Sequence, residues 1–282
     1  MDRDQKTINA QWSKSAENYD KIIHDELASF RVAGWQRLIA AQVGRRTGLK
    51  VLDCGCGPAF FTIILAKAGY RVTGIDAAAG MLEKARQNIA EYSVNADILE
   101  MDCHALEFPE NTFDLVVSRN VTHTLRDHVQ VYAEWLRVLK PGGTLLIFDA
   151  NWHLPQASDE LFRESAERER KGIELYGSDF SGNTVFDDNA EFAEKRRHAH
   201  PLGDLMRPDW DCGILRAVGF EDISYDRDIT GPLGRQGKAD LRQHAHVHAA
   251  GCQAGDNIGS SAALTGPSEA SRRRSAHSQA TT

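Results

Sequence analysis

Three runs of residues typical of short β-strands each lead into an aspartate. Asp53 ends VLD, Asp76 ends VTGID, and Asp102 follows ADILEM. In a parallel α/β sheet the carboxyl ends of the strands meet at one edge, where such sheets bind ligands. Three carboxylates at that edge favour an adenosine that carries a positive charge and no phosphates. Asp76 would then accept hydrogen bonds from ribose hydroxyls, and Asp102 would accept one from the adenine amine.

The first of these strands runs into a glycine loop, CGCGPA, that opens a helix. Such a turn brings backbone N–H groups and the positive end of the helix close to a ligand. Asp76 lies 19 residues after Gly57, the spacing expected for a carboxylate that binds ribose. A dinucleotide fingerprint starting at Gly55 would need a third glycine where Phe60 stands, which disfavours an NAD(P)-dependent oxidoreductase.

Strand-like and helix-like segments alternate from Lys50 onward, which predicts an α/β fold with a doubly wound parallel sheet and helices on both faces. The rhythm breaks after the fifth strand, at the edge where ligands bind. We therefore predict five regions: a helical cap (1–49), a ligand-binding core (50–150), an acceptor-site insertion or lid (151–208), the end of the sheet (209–230) and a disordered tail (231–282).

Composition narrows the possible partners. The 282-residue chain has a net charge of −7, while residues 231–282 carry six Lys or Arg and three acids, so the preceding body carries −10. That charge argues against nucleic acid as a partner. No apolar run is long enough for a membrane span and no signal peptide is recognised, so a cytoplasmic location is expected. Five cysteines without CxxC spacing predict reduced thiols, and His198 and His200 lack further ligands at metal spacing, so no metal is expected.

Four segments resemble, in order and spacing, the class I S-adenosylmethionine-dependent methyltransferases: VLDCGCGPA, VTGID, DCHALEFPENTFDLVVSRN and WLRVLKPGGTLLI. The most similar group is type 11, which includes the ubiquinone/menaquinone C-methyltransferases. The resemblance covers residues 10–229, and Ala59 departs from it where many members have a third glycine. It implies a Rossmann-like methyltransferase sheet, S-adenosyl-L-methionine as cofactor, and methyl transfer to an unidentified small-molecule acceptor. A non-catalytic S-adenosylmethionine-binding protein is the alternative.

The resemblance also assigns roles to residues around the cofactor. It implies that Asp53, Gly55 and Gly57 hold the methionine part, that Asp76 holds the ribose, and that Asp102 and Cys103 hold the adenine. Ser118 and Asn120 would lie near the transferring methyl group. Ile75, Ala77 and Met81 would form the apolar walls of the adenine slot, with ordinary helix packing as the alternative for Met81. The complete cofactor set is Asp53, Gly55, Cys56, Gly57, Asp76, Ala77, Met81, Asp102, Cys103, Ser118 and Asn120.

His123 is the candidate general base, because the loop after the fourth strand faces the methyl group in this fold. A loop histidine that only shapes the pocket is the alternative, and His104 is interpreted as structural. Trp152 and His153 follow the fifth strand and are candidates for the acceptor pocket. Trp12 and Tyr19 resemble N-terminal aromatic residues that cover the cofactor, with plain helix packing as the alternative.

The tail departs from the methyltransferase pattern. Such enzymes complete their sheet with an antiparallel strand between the fifth and sixth strands, so an apolar run is expected after FEDISYDRDI. The tail contains no aromatic residue and, by our interpretation, no strand periodicity. The final strand is therefore expected to be missing or replaced. Back-translation from Leu233, read one base further on, allows WDDKAKLIYGNTPMFMLRAVKQ, which suggests that a reading-frame change produced the tail.

Overall fold

The computed structural model describes residues 3–44, 46–150, 207–227, 229 and 244–251, together with the isolated positions 163, 167 and 170. The four described stretches longer than one residue all contribute to a central sheet or to the helices around it. Seven strands make up the sheet: β1 (Lys50–Cys54), β2 (Arg71–Asp76), β3 (Asp97–Glu100), β4 (Phe113–Arg119), β5 (Leu139–Ala150), β6 (Phe220–Asp226) and β7 (His244–Gly251).

Six α-helices are described around this sheet: α1 (Arg3–Leu27), α2 (Arg31–Val43), α3 (Phe60–Lys67), α4 (Ala79–Glu91), α5 (His128–Val138) and α6 (Asp209–Val218). A single 3₁₀ turn, Thr122–Thr124, connects β4 to α5. The Asp127 side chain caps α5 by accepting a hydrogen bond from the Gln130 N–H at 3.0 Å. Gly219, at a φ of +117°, ends α6.

The strand order is β3-β2-β1-β4-β5-β7-β6. The first five strands of the chain, β1 to β5, are parallel to one another. The predicted α/β class and the doubly wound parallel sheet are confirmed. Reversal of the strand order at β1 and β4 places their carboxyl ends side by side, the arrangement in which open α/β sheets bind ligands. The ends of β1, β2 and β4 therefore define the edge at which the site must be sought.

Successive side chains of the strands enter two different hydrophobic cores, because strand side chains alternate between the faces of a sheet. Val51 packs in a core with Trp35 and Phe61, from α2 and α3. Leu52 packs in the opposite core with Trp135 of α5, and Leu215 of α6 joins it. The first strand is thus buried on both faces, which explains its unbroken apolar sequence.

Of the two alternatives predicted for the final antiparallel strand, missing or replaced, the backbone excludes only the first. Strand β7 pairs antiparallel with both β5 and β6, for example Ile147 with Val247 and Tyr225 with Val247. Ladder hydrogen bonds use only backbone groups, so a segment without aromatic residues can satisfy the facing edges of β5 and β6. Residues 244–249 also alternate His with Ala or Val, a period of two that the sequence analysis overlooked. Residues 244–251 of the predicted disordered tail form this strand, and the rest of that tail lies outside the described residues. The disorder of the tail and the reading-frame hypothesis stay predictions.

Candidate functional site

A cleft of about 900 Å³, including open solvent at its mouth, lies at the carboxyl edge of the sheet. Three of its sides come from the glycine loop, the segments after β2 and β3, and the segment after β4, while α1 covers it. The residues that the structure describes around it are Gln5, Ile8, Asn9, Trp12, Tyr19, Ile23, Asp53, Gly55, Cys56, Gly57, Phe60, Phe61, Asp76, Ala77, Ala78, Met81, Met101, Asp102, Cys103, His104, Arg119, Asn120, Val121, Thr124 and Leu125.

The glycine loop adopts a backbone that its glycines make possible. Gly55 and Gly57 have φ angles of +70° and +52°, in the left-handed region that favours glycine. A Cβ on Gly55 would lie 2.3 Å from Val121 Cγ2, so a side chain there would displace the segment after β4. Ala59 also has a positive φ, +74°, and immediately precedes α3. The loop thus keeps its backbone open toward the cleft.

Asp76 fixes this loop to the end of β2. Its Oδ2 accepts a hydrogen bond from the Gly57 N–H at 3.0 Å, and its Oδ1 accepts one from the Ala78 N–H at 2.8 Å. Burial raises the pKa of Asp76, while these backbone hydrogen bonds act to lower it. Each carboxylate oxygen has a second lone pair that can serve a ligand hydroxyl. The geometry is consistent with the predicted ribose contact.

Asp53 is the most deeply buried carboxylate of the cleft, at 2% exposure. Thr62 Oγ1 donates a hydrogen bond to its Oδ2 at 2.7 Å. Burial, together with the negative charge of Asp76, raises the pKa of Asp53 to about 6, although the Thr62 hydrogen bonds and the Arg119 charge oppose this shift. A cationic ligand beside Asp53 would favour its ionised form and would itself gain from the negative charge.

Asp102 holds the opposite end of the cleft. Its Oδ1 accepts hydrogen bonds from the backbone N–H of His104 at 2.9 Å and from His104 Nδ1 at 2.7 Å. Arg126 Nη2 donates to its Oδ2 at 3.3 Å. Burial acts to raise the pKa of Asp102, but the His104 hydrogen bonds and the Arg126 charge together lower it. His104 thus holds Asp102 in place and also lines the cleft, and its structural role stays a prediction.

Helix α1 closes the cleft from above. Trp12 and Tyr19 both line it, and their rings meet edge to face with centroids 5.9 Å apart. The helix lies tightly on α4, because a Cβ on Gly80 would lie 2.7 Å from the Ser13 carbonyl oxygen. Both aromatic residues therefore line the site and also pack against the cluster of Ala16, Ala78 and Met81, and their contact with a cofactor stays a prediction.

The segment after β4 places its residues in different surroundings. Asn120, with a φ of +57°, lines the cleft, and its Nδ2 lies 3.5 Å from the Tyr19 hydroxyl. Its buried Oδ1 makes no hydrogen bond within the described part of the chain. Ser118 is fully buried and does not belong to the cleft lining. Asn120 thus lines the cleft and Ser118 does not, and the roles of both beside the methyl group stay predictions.

His123 lies beside the cleft but is not among its described lining. Its Nδ1 is 3.1 Å from Asp149 Oδ1, and its backbone N–H donates to Asp149 Oδ2 at 3.0 Å. His123 Nδ1 donates in this pair, because an ionised carboxylate only accepts. Burial acts to raise the pKa of Asp149, but His123, Arg207 and Thr122 hold it well below its usual range. Its role as a base stays a prediction.

The remaining predicted residues divide between the cleft and other places. Cys56, Ala77, Met81 and Cys103 line the cleft. Ile75 is buried in the hydrophobic core instead, with its carbonyl oxygen accepting from the Cys56 N–H at 2.8 Å. Trp152, His153, His198 and His200 lie outside the described residues. Among the residues that are described, no group of three or more His, Cys, Asp or Glu could hold a metal ion.

Sequence reasoning missed two groups of cleft residues. Gln5 and Asn9 of α1 line the cleft far from any motif, so no sequence signal pointed to them. Arg119 also lines it, and its position directly before Asn120 at the end of β4 was a usable signal. No helix in the described part of the chain is long and apolar enough to cross a membrane.

Comparisons with known proteins agree with this geometry. Residues 52–147 match the family model described as a methyltransferase domain. A ubiquinone/menaquinone biosynthesis C-methyltransferase of Shewanella halifaxensis is 27% identical over 78% of this chain and 88% of its own length. A demethylmenaquinone methyltransferase of Listeria monocytogenes is 30% identical over 51% of this chain and 62% of its own.

Solved structures show the same fold. A Methanococcus maripaludis protein, assigned as an S-adenosyl-L-methionine-dependent methyltransferase, aligns with a TM-score of 0.56 at 20% identity, over 87% of this chain and 95% of its own. Phosphoethanolamine N-methyltransferase 2 of Haemonchus contortus, in complex with S-adenosyl-L-methionine, aligns with a TM-score of 0.53 at 18% identity. The alignment covers 77% of this chain and 52% of that protein's chain.

The doubly wound sheet with its glycine loop and row of carboxylates defines a Rossmann-like nucleoside-binding domain. Together with the match of residues 52–147, it identifies an S-adenosylmethionine-dependent methyltransferase domain in this chain. The observed site fits that cofactor: Asp53, Asp76 and Asp102 suit a cationic nucleoside, and the buried Asn120 Oδ1 offers an acceptor to its amino group.

Proposed function

We propose that this methyltransferase methylates a small-molecule acceptor, and that a quinol ring of the demethylmenaquinone type is the first acceptor to test. The observation that supports the small-molecule part is the concave cleft under α1, whose volume of about 900 Å³, open solvent at its mouth included, lies within the range of small-molecule sites. The quinol part is suggested by the names of the relatives from Shewanella and Listeria.

When bound, S-adenosylmethionine supplies a methyl group on a sulfonium, and the protein mainly aligns the reactants and excludes water. In this proposal Asp76 orients the ribose and Asp102 the adenine, while ionised Asp53 offsets the positive charges near the methionine part. Trp12 and Tyr19 keep water from the reacting atoms. The side chains therefore align the methyl donor with the acceptor, and none of them needs to form a covalent bond with either.

The acceptor is proposed to contact residues 151–208. Ala150 ends β5 and Arg207 lies two residues before α6, and both ends of the segment lie beside the 3₁₀ turn. Arg207 Nη2 donates to Thr122 Oγ1 at 2.5 Å, and its Nη1 lies 3.5 Å from Asp149 Oδ2. Val121 and Thr124, on either side of that contact, line the cleft. This closeness supports an acceptor segment that contains Trp152 and His153.

We further propose His123 as the base that takes a proton from the acceptor. Since Nδ1 donates to Asp149, Nε2 is the ring nitrogen that can accept a proton. The residue lies in the same turn as Thr124, which lines the cleft. A His123→Gln variant is expected to lose turnover with a quinol while its affinity for S-adenosylhomocysteine is unchanged.

The test supplies a donor with a labelled methyl group and a reduced demethylmenaquinone analogue with a short side chain. The proposal expects the analogue to gain one labelled methyl group, detected by mass spectrometry, with one S-adenosylhomocysteine formed per product. A second reaction with a small-molecule metabolite extract covers other acceptors. Label that enters only macromolecules, or no label transfer in either reaction, would contradict the proposal.

A further inference from the structure

The charges along the cleft change sign at β4. Asp102, Asp76 and Asp53 follow or end β3, β2 and β1, and Arg119 ends β4, the next strand across the sheet. Among the described residues that line the cleft, Arg119 is the only lysine or arginine. S-adenosylmethionine has one anionic group, the α-carboxylate, at the end of the molecule remote from adenine. With the adenine beside Asp102, that carboxylate falls at the β4 end.

We propose that Arg119 binds the α-carboxylate of the donor and makes the cleft selective for an adenosine ligand with an intact amino-acid group. The inference rests on S-adenosylmethionine as the ligand of this cleft. Register supports the placement, because Ser118 pairs with Cys54, which puts Arg119 next to the start of the glycine loop. Val121, two residues further on, touches the position of Gly55.

The surroundings of Arg119 hold its guanidinium in a fixed plane. Its centre lies 4.6 Å from the ring centroid of Phe60 and 5.2 Å from that of Trp35. Stacking on aromatic faces is a property of the planar guanidinium that lysine does not reproduce. The side chain is only 13% exposed. An anion that meets Arg119 in the cleft would therefore bind a cation that is already oriented.

Glu26 of α1 balances this cation. Arg119 Nη2 donates to Glu26 Oε2 at 2.6 Å and to Oε1 at 2.8 Å. A guanidinium has five N–H donors, so one arginine can serve two carboxylates. The same arrangement links α1, which covers the cleft, to the end of the sheet.

The neighbours of Arg119 suit the other charge of an amino acid. The Asn120 Oδ1 atom is buried and makes no hydrogen bond within the described residues, so it can accept from an ammonium group. Asp53 lies in the same part of the cleft, and its ionisation is favoured by the charge of Arg119. The Arg119 guanidinium would thus face the carboxylate of the donor's amino-acid part, while Asn120 Oδ1 and Asp53 would face its ammonium group.

The test compares two ligands that differ by a single group. S-adenosylhomocysteine has the carboxylate, and 5′-(3-aminopropyl)thioadenosine is the same molecule without it. Titration calorimetry is expected to show at least a tenfold preference of the wild-type protein for S-adenosylhomocysteine. In Arg119→Gln the preference is expected to fall to within twofold, because only the carboxylate loses its partner.

The matched control is Arg126→Gln at the adenine end, where the side chain contacts Asp102. It should weaken both ligands equally and leave the preference intact. If Arg119→Gln also lowers both affinities equally, or changes neither, the inference is overturned while the cofactor assignment stands. A wild-type protein that binds both ligands equally overturns it without any variant. A wild-type protein that binds neither ligand overturns the cofactor assignment and this inference together.

Discussion

Arg207 is the cation of a buried ionic cluster that joins β5, the 3₁₀ turn and α6. It donates two hydrogen bonds to Asp211, at 2.6 and 2.7 Å, and lies 3.5 Å from Asp149. Arg207, Asp149 and Asp211 are each 5% exposed or less. Burial acts to lower the pKa of Arg207, but the two carboxylates raise it further above its ordinary value. The guanidinium is therefore what makes two buried negative charges tolerable.

Replacing this side chain with methionine keeps much of its volume and removes its charge. Breaking a buried ion pair by removal of one partner costs about 3–5 kcal/mol. Against a total stability of roughly 5–15 kcal/mol, that is a large fraction. At roughly 2–4 °C per kcal/mol for a chain of this size, Arg207→Met should lower Tm by about 6–20 °C.

Urea denaturation followed by tryptophan fluorescence at pH 7 measures this loss. The matched control is Arg216→Met, an exposed position on α6, which should change the free energy of unfolding by less than about 0.5 kcal/mol. Because Arg207 helps to depress the pKa of Asp149, its stabilising effect is present above the unfolded pKa of about 4 and is lost as the pH falls. The free energies of unfolding of the wild-type protein and of Arg207→Met should therefore converge as the pH falls. The reasoning would be refuted if Arg207→Met lost less than about 1 kcal/mol of unfolding free energy at pH 7. It would also be refuted if that loss grew as the pH fell.

Four further predictions concern the cofactor site and the tail. Asp76→Ala should weaken S-adenosylhomocysteine binding by about 1.5–3 kcal/mol in calorimetry, since ribose loses a charged acceptor; unchanged affinity removes the assignment. Gly55→Ala should cost roughly 1–3 kcal/mol of stability from its clash with Val121, and adding Val121→Ala should restore part of the loss in thermal melts; no rescue would contradict the contact. Asp53, with a pKa of about 6, should release a proton when the cationic donor binds near pH 6, so the affinity for the donor should fall below that pH. Calorimetry in two buffers of different ionisation enthalpy measures the proton release. Proton uptake on binding would contradict the prediction. Sequencing the locus should reveal a one-base difference from close relatives near the codon for Leu233, and an identical frame would end the reading-frame hypothesis.

Much of the sheet was predictable because its signals are local. Alternating apolar strands and helices gave β1 to β5, and the glycines with their following aspartates located the carboxyl edge. The segment KPGG, whose proline and glycines favour a turn, lies within β5, where the pairing with β4 passes from Phe113–Leu139 to Leu115–Thr144. The four residues of this segment stand between those two pairs, so the proline and glycines mark an irregularity within the strand and not its end.

The parts that sequence reasoning missed depend on contacts between distant segments. Arg207 meets Thr122 across 85 positions, and Arg119 meets Glu26 across 93. Neither pair has a periodic pattern or a motif that points to its partner. The lining residues Gln5 and Asn9 are likewise set by how α1 lies over the cleft. Strand β7 was missed because backbone pairing can form without the apolar side chains that usually mark a strand.

The central claim is that the cleft over Asp53, Asp76 and Asp102 binds S-adenosylmethionine. Titration calorimetry of the full chain with S-adenosylhomocysteine, and separately with NADH, tests it most directly. The account predicts saturable binding of S-adenosylhomocysteine at one site per chain, weakened by Asp76→Ala, and no heat of binding with NADH. Saturable binding of NADH without binding of S-adenosylhomocysteine would contradict it.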